Sequence, residues 1–295
     1  METGMTLRKL LAQADGPVVI PGVGTALEAR AAEAAGFEAI YVSGYATAAW
    51  RHAVPDIGLI ALAEIREALE AVRSATTVPL LVDADTGYGD VSNVADTIHR
   101  LEASGASAIQ VEDQTWPKRC GHLTGKSVEP IEVAVRKVRA AVRARRDDAT
   151  LIIARTDARA THDLDEAIER ARRFHAEGAD ALFIDAPESR EELERIAAEV
   201  PGLKVANMSE SGRTPSTTRA EFAELGFEIV LYPTSALRIA SRMFVEFFAD
   251  LAREGDSSSW SGRIQSLDAL NALVGLREIE EFERAVLADD GPIRA

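Results

Sequence analysis

Short runs of aliphatic and β-branched residues recur along the chain, and each run is bounded by glycine, proline or acidic residues. Uninterrupted apolar runs of this length are typical of strands buried on both faces of a parallel sheet. The eight runs lie at 18–21, 39–44, 79–85, 108–113, 151–157, 181–186, 204–208 and 229–233. Segments with helical spacing, rich in Ala, Glu and Arg, lie between most of them, at 26–35, 62–74, 91–104, 131–144, 164–177, 190–200 and 217–225. The pattern predicts alternating strands and helices.

Eight strands that alternate with helices predict a parallel sheet with right-handed crossovers, and eight strands close an α/β barrel of the (β/α)8 TIM type. The alternative is a doubly wound open sheet, but no Gly-x-Gly-x-x-Gly follows the first predicted strand. Gly36, Gly105, Gly178 and Gly226 each follow a predicted helix, where a left-handed residue ends it. We therefore expect the closed barrel.

The pattern becomes helical again after the eighth strand, at 237–254 and 267–287, with a polar segment at 255–262 between these helices. We expect one barrel domain over 1–295, with 237–295 as its C-terminal helical extension. Because the last helix follows a flexible linker, it can pack on its own barrel or on that of a neighbouring subunit.

The charge balance excludes two classes of partner. The 295 residues include 33 Lys and Arg against 48 Asp and Glu, which gives a formal net charge of −15. Binding to nucleic acid or to an anionic membrane needs a basic surface, so we expect neither partner. The segment 1–16 has no long apolar core, and no stretch reaches the roughly 18 apolar residues of a membrane span. On these grounds we expect a cytoplasmic protein.

Polar residues end several predicted strands, which is where (β/α)8 barrels carry their chemistry. Asp83 and Asp85 end the third strand, where a two-residue spacing points both side chains to the same side. Glu112 lies at the end of the fourth strand, Asp157 at the end of the fifth and Asp185 at the end of the sixth. Converging carboxylates repel one another unless a cation lies among them, and oxygen ligands favour Mg²⁺ or Mn²⁺. The alternative, helix capping, suits any one acid better than it suits three successive strand ends.

The segment after the fourth strand contains the only cysteine, Cys120, so an internal disulfide and a cysteine metal cage are excluded. Lys118, Arg119 and His122 surround it with positive charge, which lowers the pKa of a thiol and suits it to proton transfer. Glycines and a proline in 112–126 allow this segment to move as a lid. A free cysteine is more often a small packed hydrophobe, but the polar neighbours favour a reactive thiol here.

Five sequence motifs follow one another along the chain. They are Pro-Asp-Ile-Gly at 55–58, Asp-Ala-Asp-Thr-Gly-Tyr-Gly at 83–89, Glu-Asp-Gln at 112–114, Lys-Arg-Cys-Gly-His at 118–122 and Ala-Arg-Thr-Asp-Ala at 154–158. In composition and order they resemble the motifs of the isocitrate lyase and phosphoenolpyruvate mutase superfamily. The resemblance implies the barrel predicted above, Mg²⁺, a mobile gating loop, and a homotetramer whose last helix is exchanged between subunits.

The same resemblance implies roles for individual positions. Asp83 and Asp85 would hold the metal ion, directly or through water, with Asp56 and Glu112 as outer carboxylates. Cys120 would be the general acid, in a loop with Lys118, Arg119 and His122. A di- or tricarboxylate substrate would be bound by Ser43, Gly44, Tyr45, Gly121, Arg155, Asp185, Asn207, Ser209 and Arg238. Relatives usually have Glu where this chain has Asp185, a difference that can reshape the pocket.

The implied reaction is a retro-aldol-type cleavage of a 2-hydroxy acid, after which Cys120 protonates the carbanion at the former C3. The segments 43–45 and 158–160 look closest to 2,3-dimethylmalate lyase and petal death protein-like members, which favours an alkylmalate, with oxaloacetate as a further candidate. Arg238 instead resembles 2-methylisocitrate lyases, but Leu270 stands where those enzymes carry another arginine, so a dicarboxylate is favoured. Two competing hypotheses are a phosphonate-forming mutase of the carboxyvinyl-carboxyphosphonate type and a non-catalytic barrel that binds a dicarboxylate.

Overall fold

Eight parallel strands form a closed barrel in which each strand pairs with its neighbours in sequence. The structure is a computed structural model that describes residues 6–121, 123–210 and 212–288. The strands are β1 (Val18–Val23), β2 (Ile40–Val42), β3 (Leu80–Asp83), β4 (Ala108–Glu112), β5 (Leu151–Thr156), β6 (Ala181–Ile184), β7 (Leu203–Asn207) and β8 (Ile229–Tyr232). Pairing of β1 with β8, with Val18 beside Ile229, closes the sheet. The predicted (β/α)8 fold is confirmed.

Helices follow the strands around the barrel. They are α1 (Leu7–Gln13), α2 (Ala26–Ala34), α3 (Gly44–His52), α4 (Leu62–Ala75), α5 (Val91–Ala103), α6 (Ile131–Ala144), α7 (Ala158–Thr161), α8 (Leu164–Ala176), α9 (Arg190–Glu199), α10 (Arg219–Leu225), α11 (Ser235–Glu254), α12 (Leu267–Leu273) and α13 (Leu276–Ala288). Gly36, Gly105, Gly178 and Gly226 have φ angles of 89°, 93°, 97° and 82°, as their predicted place at helix ends requires.

The strands bury both of their faces, which explains their continuous apolar runs. Leu81 on β3 faces the inside of the barrel, where it belongs to a cluster that includes Ile153 and Phe183. The adjacent Leu80 and Val82 belong to a separate cluster between the strands and the helices. Shortening any one of these fully buried side chains to alanine is expected to cost about 2–5 kcal/mol.

The structure differs from the sequence prediction at several places, of which three concern the site or the C-terminal helices. Strand β2 ends at Val42 rather than at residue 44, and Ser43 caps a helix, α3, that the pattern did not predict. Strand β3 ends at Asp83, so Asp85 lies beyond the strand. The helix predicted at 267–287 is broken between α12 and α13, where Gly275 has a φ of 84°.

The chain divides into two compact units, with the boundary inside α11 after Arg238. In the second unit Trp260 is buried and packs edge-on against Phe247, with ring centres 5.5 Å apart. Its indole Nε1 donates to Asp250 Oδ2 at 2.9 Å, so the linker is anchored to α11 by Trp260. Among the described residues, no helix combines the length and apolar character needed to span a membrane. The single-domain assignment and the cytoplasmic location stay predictions.

Candidate active site

A cavity opens at the carboxyl ends of the strands. It is lined by Tyr41, Ser43, Tyr45, Asp56, Asp83, Glu112, Lys118, Arg119, Cys120, Gly121, Arg155, Asn207, Pro233 and Thr234. Most of these residues were predicted from the sequence to belong to one site. The barrel brings them together because every strand presents its carboxyl end at the same rim.

One wall of this cavity carries four buried carboxylates, Asp56, Asp83, Asp85 and Glu112, which we call the acid cluster. Lys118 lies among them, with its Nζ 2.5 Å from Asp56 Oδ1 and 2.7 Å from Asp85 Oδ1. Arg155 Nε also lies 3.4 Å from Glu112 Oε2, so four carboxylates have two cations beside them. The surplus of negative charge in a buried site calls for a further cation.

The backbone conformation that directs Asp85 into the acid cluster differs from the predicted one. Because Asp85 follows the end of β3 and has a φ of 46°, strand alternation does not set its direction. The left-handed backbone conformation at Asp85 directs its carboxylate towards Asp83. A Cβ atom on Gly44 would lie 2.9 Å from Asp83 Oδ2 and 3.5 Å from Asp85 Oδ1, so only glycine lets the start of α3 approach both acids.

The protonation of the acid cluster shows the same shortage of positive charge. Burial raises the pKa of Asp85 to about 7, with added repulsion from Asp83 and Asp56, although Lys118 opposes the shift. Burial also raises the pKa of Glu112 well above its ordinary value. Oδ2 of Asp85 and Oε1 of Glu112 are buried without a hydrogen-bond partner among the described residues, whereas Oδ1 of Asp85 faces Lys118. Oxygen atoms in this state fit a hard divalent cation.

The number of direct protein ligands for such a cation is small. Among the described residues, no group of three or more Asp, Glu, His or Cys side chains is arranged to hold a metal ion by itself. Mg²⁺ usually keeps several waters and binds through one or two carboxylates and substrate oxygens. The acid cluster fits that mode, with at most two direct carboxylate ligands.

A second group of buried charges, with two cations and two carboxylates, lies next to the acid cluster and consists of Arg155, Lys126, Asp157 and Asp185. We call this group the arginine corner. Arg155 donates from Nε and Nη2 to Asp157 Oδ2 and Oδ1 at 2.9 and 3.1 Å, and Nη2 lies 3.2 Å from Asp185 Oδ2. Although burial opposes it, Arg155 and Lys126 hold the pKa of Asp157 below its ordinary value. Within the corner two cations face two carboxylates, although Arg155 Nε also lies 3.4 Å from Glu112 Oε2 of the acid cluster. Nη1 of Arg155 makes no hydrogen bond within the part of the chain that the structure describes.

The start of α3 forms a third side of the cavity. Ser43 is buried and its Oγ accepts a hydrogen bond from the Ala46 backbone at 3.2 Å, so it caps the helix while it lines the cavity. The first N–H groups of a helix have no partner within it. Here they belong to Gly44 and Tyr45, and such a helix start suits a carboxylate of a ligand.

The Cys120 loop, residues 115–127, is closed at its base by two backbone hydrogen bonds, from Thr115 to Ser127 at 2.9 Å and from Glu129 to Asp113 at 2.8 Å. Its tip is fixed by a bond from the Cys120 N–H to the Asp56 carbonyl at 3.0 Å. The loop therefore places the thiol at the cavity, beside the acid cluster.

The three basic residues predicted around Cys120 are placed differently from one another. Lys118 directs its ammonium into the acid cluster, and Arg119 is exposed while it lines the cavity. His122 lies outside the described residues. A Cβ on Gly121 would lie 2.2 Å from Asp185 Oδ2 and 2.7 Å from Arg155 Nη2, so the loop needs glycine beside the cysteine.

Three further predicted residues lie beside the arginine corner or in a neighbouring cavity. Asn207 ends β7, and its Nδ2 is 3.5 Å from Asp185 Oδ1. Ser209 and Arg238 line a second cavity, which shares Tyr45, Asp56, Cys120 and Thr234 with the first. Arg238 Nη1 donates to the Glu210 carbonyl at 2.5 Å and lies 3.4 Å from Glu210 Oε2. Arg238 is thus already neutralised by Glu210.

The sequence interpretation missed several residues of the site. Asp157 holds Arg155, and a two-residue spacing at the end of β5 was a signal for their contact. Lys126 is buried in the arginine corner, but a lysine in a polar loop gives no sign of burial. Tyr88 follows Asp85, and its buried hydroxyl lies near the acid cluster, since burial first and then Asp85 raise its pKa.

The chain resembles one family of known proteins over most of its length. Residues 7–252 match the family described as phosphoenolpyruvate phosphomutase. The chain is 38% identical to 2,3-dimethylmalate lyase of Eubacterium barkeri over 96% of this chain and 98% of that protein. It is 39% identical to 2-methylisocitrate lyase of Aeropyrum pernix over 96% of this chain and 91% of that protein.

A solved structure with a bound metal ion is also similar. It is a complex of phosphonopyruvate hydrolase with oxalate and Mg²⁺, with a TM-score of 0.81 and 31% sequence identity. The similarity covers 93% of this chain and 94% of that one.

Proposed function

The chain belongs to the isocitrate lyase and phosphoenolpyruvate mutase superfamily and is a carbon–carbon lyase of it, and we propose that it cleaves a 2-hydroxy dicarboxylate of the alkylmalate type. The products would be a 2-oxo acid and a carboxylate. The observation that supports this reaction is the pairing, across one cavity, of a carboxylate wall that needs a cation with an arginine wall that suits an anion. Cys120 lines the same cavity.

The cofactor we propose is Mg²⁺, for which Mn²⁺ can substitute. Asp83 and Asp85 would hold it, directly or through water, and Asp56 and Glu112 would be outer carboxylates. The unpartnered buried oxygens and the raised pKa values support this site. When bound, the ion would lower the pKa of the substrate 2-hydroxyl and stabilise negative charge on its oxygen.

The residues of the chain would bind the substrate at its two ends. The helix start at Gly44 and Tyr45, with Ser43, would receive one carboxylate, and Arg155 would receive the other. The 2-hydroxyl would release its proton to solvent, and the C2–C3 bond would then break, with its electron pair left on the C3 fragment as an enediolate. Cys120 would then give its S–H proton to C3 and recover a proton from solvent. The Cys120 loop would exclude water that competes for this step.

The second cavity supports a dicarboxylate over a tricarboxylate. A third carboxylate would need a cation, but Arg238 is neutralised by Glu210. An unpaired buried carboxylate costs several kcal/mol, by the usual size of broken buried pairs of about 3–5 kcal/mol. The presence of Arg238 and the 39% identity to 2-methylisocitrate lyase favour 2-methylisocitrate as the second candidate substrate.

A product assay tests the proposal. With Mg²⁺, we expect pyruvate and propionate from 2,3-dimethylmalate, and less or no product from 2-methylisocitrate and from oxaloacetate, whose product would be oxalate. We expect Cys120→Ser to remove turnover but keep substrate binding. If no substrate turns over with or without Mg²⁺, the substrate proposal is wrong. If phosphorus NMR shows a new C–P bond from phosphoenolpyruvate or its carboxyphosphonate relative, the enzyme is a mutase.

We also propose that the protein is a homotetramer in which the last helix is exchanged. Ile279, Phe282 and Val286 are 56%, 69% and 51% exposed, and their spacing places them on one face of α13. Exposed apolar stripes mark interaction surfaces. Light scattering should give a mass of four chains, and Phe282→Glu should lower it; a monomer would contradict the proposal.

A further inference from the structure

Lys126 is buried in the site, but the proposed reaction gives it no role. Its side chain is only 3% exposed although it belongs to the Cys120 loop. Its Nζ donates to the carbonyl of Gly121 at 2.7 Å and to Asp157 Oδ1 at 2.8 Å. It also lies 3.6 Å from Asp185 Oδ2. One ammonium group therefore joins the loop to the arginine corner.

Both contacts of Lys126 concern groups that the reaction needs. Gly121 is the residue next to Cys120, and its backbone packs directly against Asp185 and Arg155. Asp157 is the carboxylate that fixes Arg155 through two hydrogen bonds. A shift of the Gly121 carbonyl would move the thiol, and a shift of Asp157 would move the guanidinium.

We propose that Lys126 is a positioning residue that locks the Cys120 loop onto the arginine corner, so that the proton donor and the substrate-binding arginine are aligned by one side chain. The role of Cys120 and Arg155 in this statement rests on the proposed function. The bond between loop and corner does not. It is a charge-assisted pair in a buried setting, which is the strong class of hydrogen bond.

A purely structural reading of Lys126 makes a different prediction. In that reading the lysine only neutralises the buried Asp157 and Asp185, and any residue with a positive charge at this position would serve. The proposal also requires the bond to the Gly121 carbonyl. Lys126→Arg keeps the charge but changes the length and shape of the donor, so it separates the two readings.

The single thiol offers a readout that needs no substrate. Iodoacetamide labelling of the full-length protein, followed by intact mass, reports how well the loop holds Cys120. We expect Lys126→Met to label about tenfold faster than wild type, since one charge-assisted hydrogen bond is lost. The control is Lys137→Met, because Lys137 is also buried but its nearest acid, Glu129, lies 3.8 Å away outside both walls of the site. The control should label at the wild-type rate.

Turnover gives the second readout. We expect Lys126→Met to lower kcat about 10–100-fold with a smaller change in KM, because a small misplacement of a reacting group is costly. Lys126→Arg should fall between wild type and Lys126→Met in both assays. Wild-type labelling and kcat in Lys126→Arg would overturn the proposal, as would unchanged labelling in Lys126→Met. If Lys126→Met does not fold, Lys126→Arg alone decides. If Lys126→Met labels faster but the wild-type protein turns over no alkylmalate, the proposed function is wrong, and the positioning of the Cys120 loop by Lys126 is still supported.

Discussion

The acid cluster and the arginine corner are built from the same kind of residue but differ in charge balance. Each contains buried carboxylates at the ends of barrel strands. In the acid cluster four carboxylates face Lys118, with Arg155 beside Glu112 at the edge, whereas in the arginine corner two carboxylates face Arg155 and Lys126. The pKa of Asp85 is raised to about 7, with burial as the largest cause, and that of Asp157 is lowered by Arg155 and Lys126 against the effect of burial.

This difference explains how one rim can bind both a cation and an anion. An under-neutralised carboxylate group gains by taking up a divalent ion. A balanced group holds its arginine in a fixed orientation, so that a remaining N–H can meet a carboxylate of the substrate. The two regions meet where Arg155 Nε lies 3.4 Å from Glu112 Oε2, so substitutions away from this contact can change one region at a time.

We expect the largest loss of stability from a substitution in the arginine corner. We expect Arg155→Met to lower the free energy of unfolding by about 3–5 kcal/mol, because Asp157 and Asp185 stay buried with one cation fewer. Urea unfolding would measure it. The matched control is Arg100→Met, whose ion pair with Asp96 is half exposed and should cost below about 0.5 kcal/mol. Equal losses in the two variants would contradict a special role for the buried pair.

The pH dependence of the corner follows from the lowered pKa of Asp157. A carboxylate whose folded pKa is lowered adds stability above its unfolded pKa of about 4, and that stability is lost as the pH falls through the folded value. We expect wild type to be more stable than Asp157→Asn between pH 5 and 8 by a constant amount. Below about pH 4 the difference should shrink. A difference that grows on acidification would refute the assigned charge state.

A substitution in the acid cluster should change the free energy of unfolding in the opposite direction. We expect Asp85→Asn, in the presence of EDTA, to leave the free energy of unfolding unchanged or raise it by about 1–2 kcal/mol, because one of several repelling charges is removed. The same variant should lose the added stability that Mg²⁺ gives to wild type. Thermal unfolding with EDTA and with Mg²⁺ would measure both. A loss of several kcal/mol in EDTA would mean that Lys118 already balances the cluster.

The smallest effect should come from outside both regions. Since Glu210 already neutralises Arg238, we expect Arg238→Leu to change KM for 2,3-dimethylmalate by less than about threefold, in keeping with the small worth of an exposed pair. Steady-state kinetics would measure it. A large rise of KM for 2-methylisocitrate, with turnover of that substrate in wild type, would instead assign Arg238 to a third carboxylate.

The fold and most of the cavity-lining residues could be predicted from the sequence because they depend on local patterns. Apolar runs mark strands, and parallel strands bring their ends to one rim, so Asp83, Glu112 and Arg155 could be grouped without a structure. The start of α3 resembles strand in the sequence because Ser43 and Gly44 continue an apolar run. The burial of Lys126 depends on where its loop folds back, which is decided by tertiary contacts with Asp157 and Gly121.

The binding of Mn²⁺, followed by electron paramagnetic resonance, tests the distinction between the two regions most directly. Asp85→Asn and Asp185→Asn make the same change from carboxylate to amide, one in the acid cluster and one in the arginine corner. We predict that wild type and Asp185→Asn bind Mn²⁺ with similar affinity and that Asp85→Asn loses binding. Binding that survives in Asp85→Asn and is lost in Asp185→Asn would contradict this account.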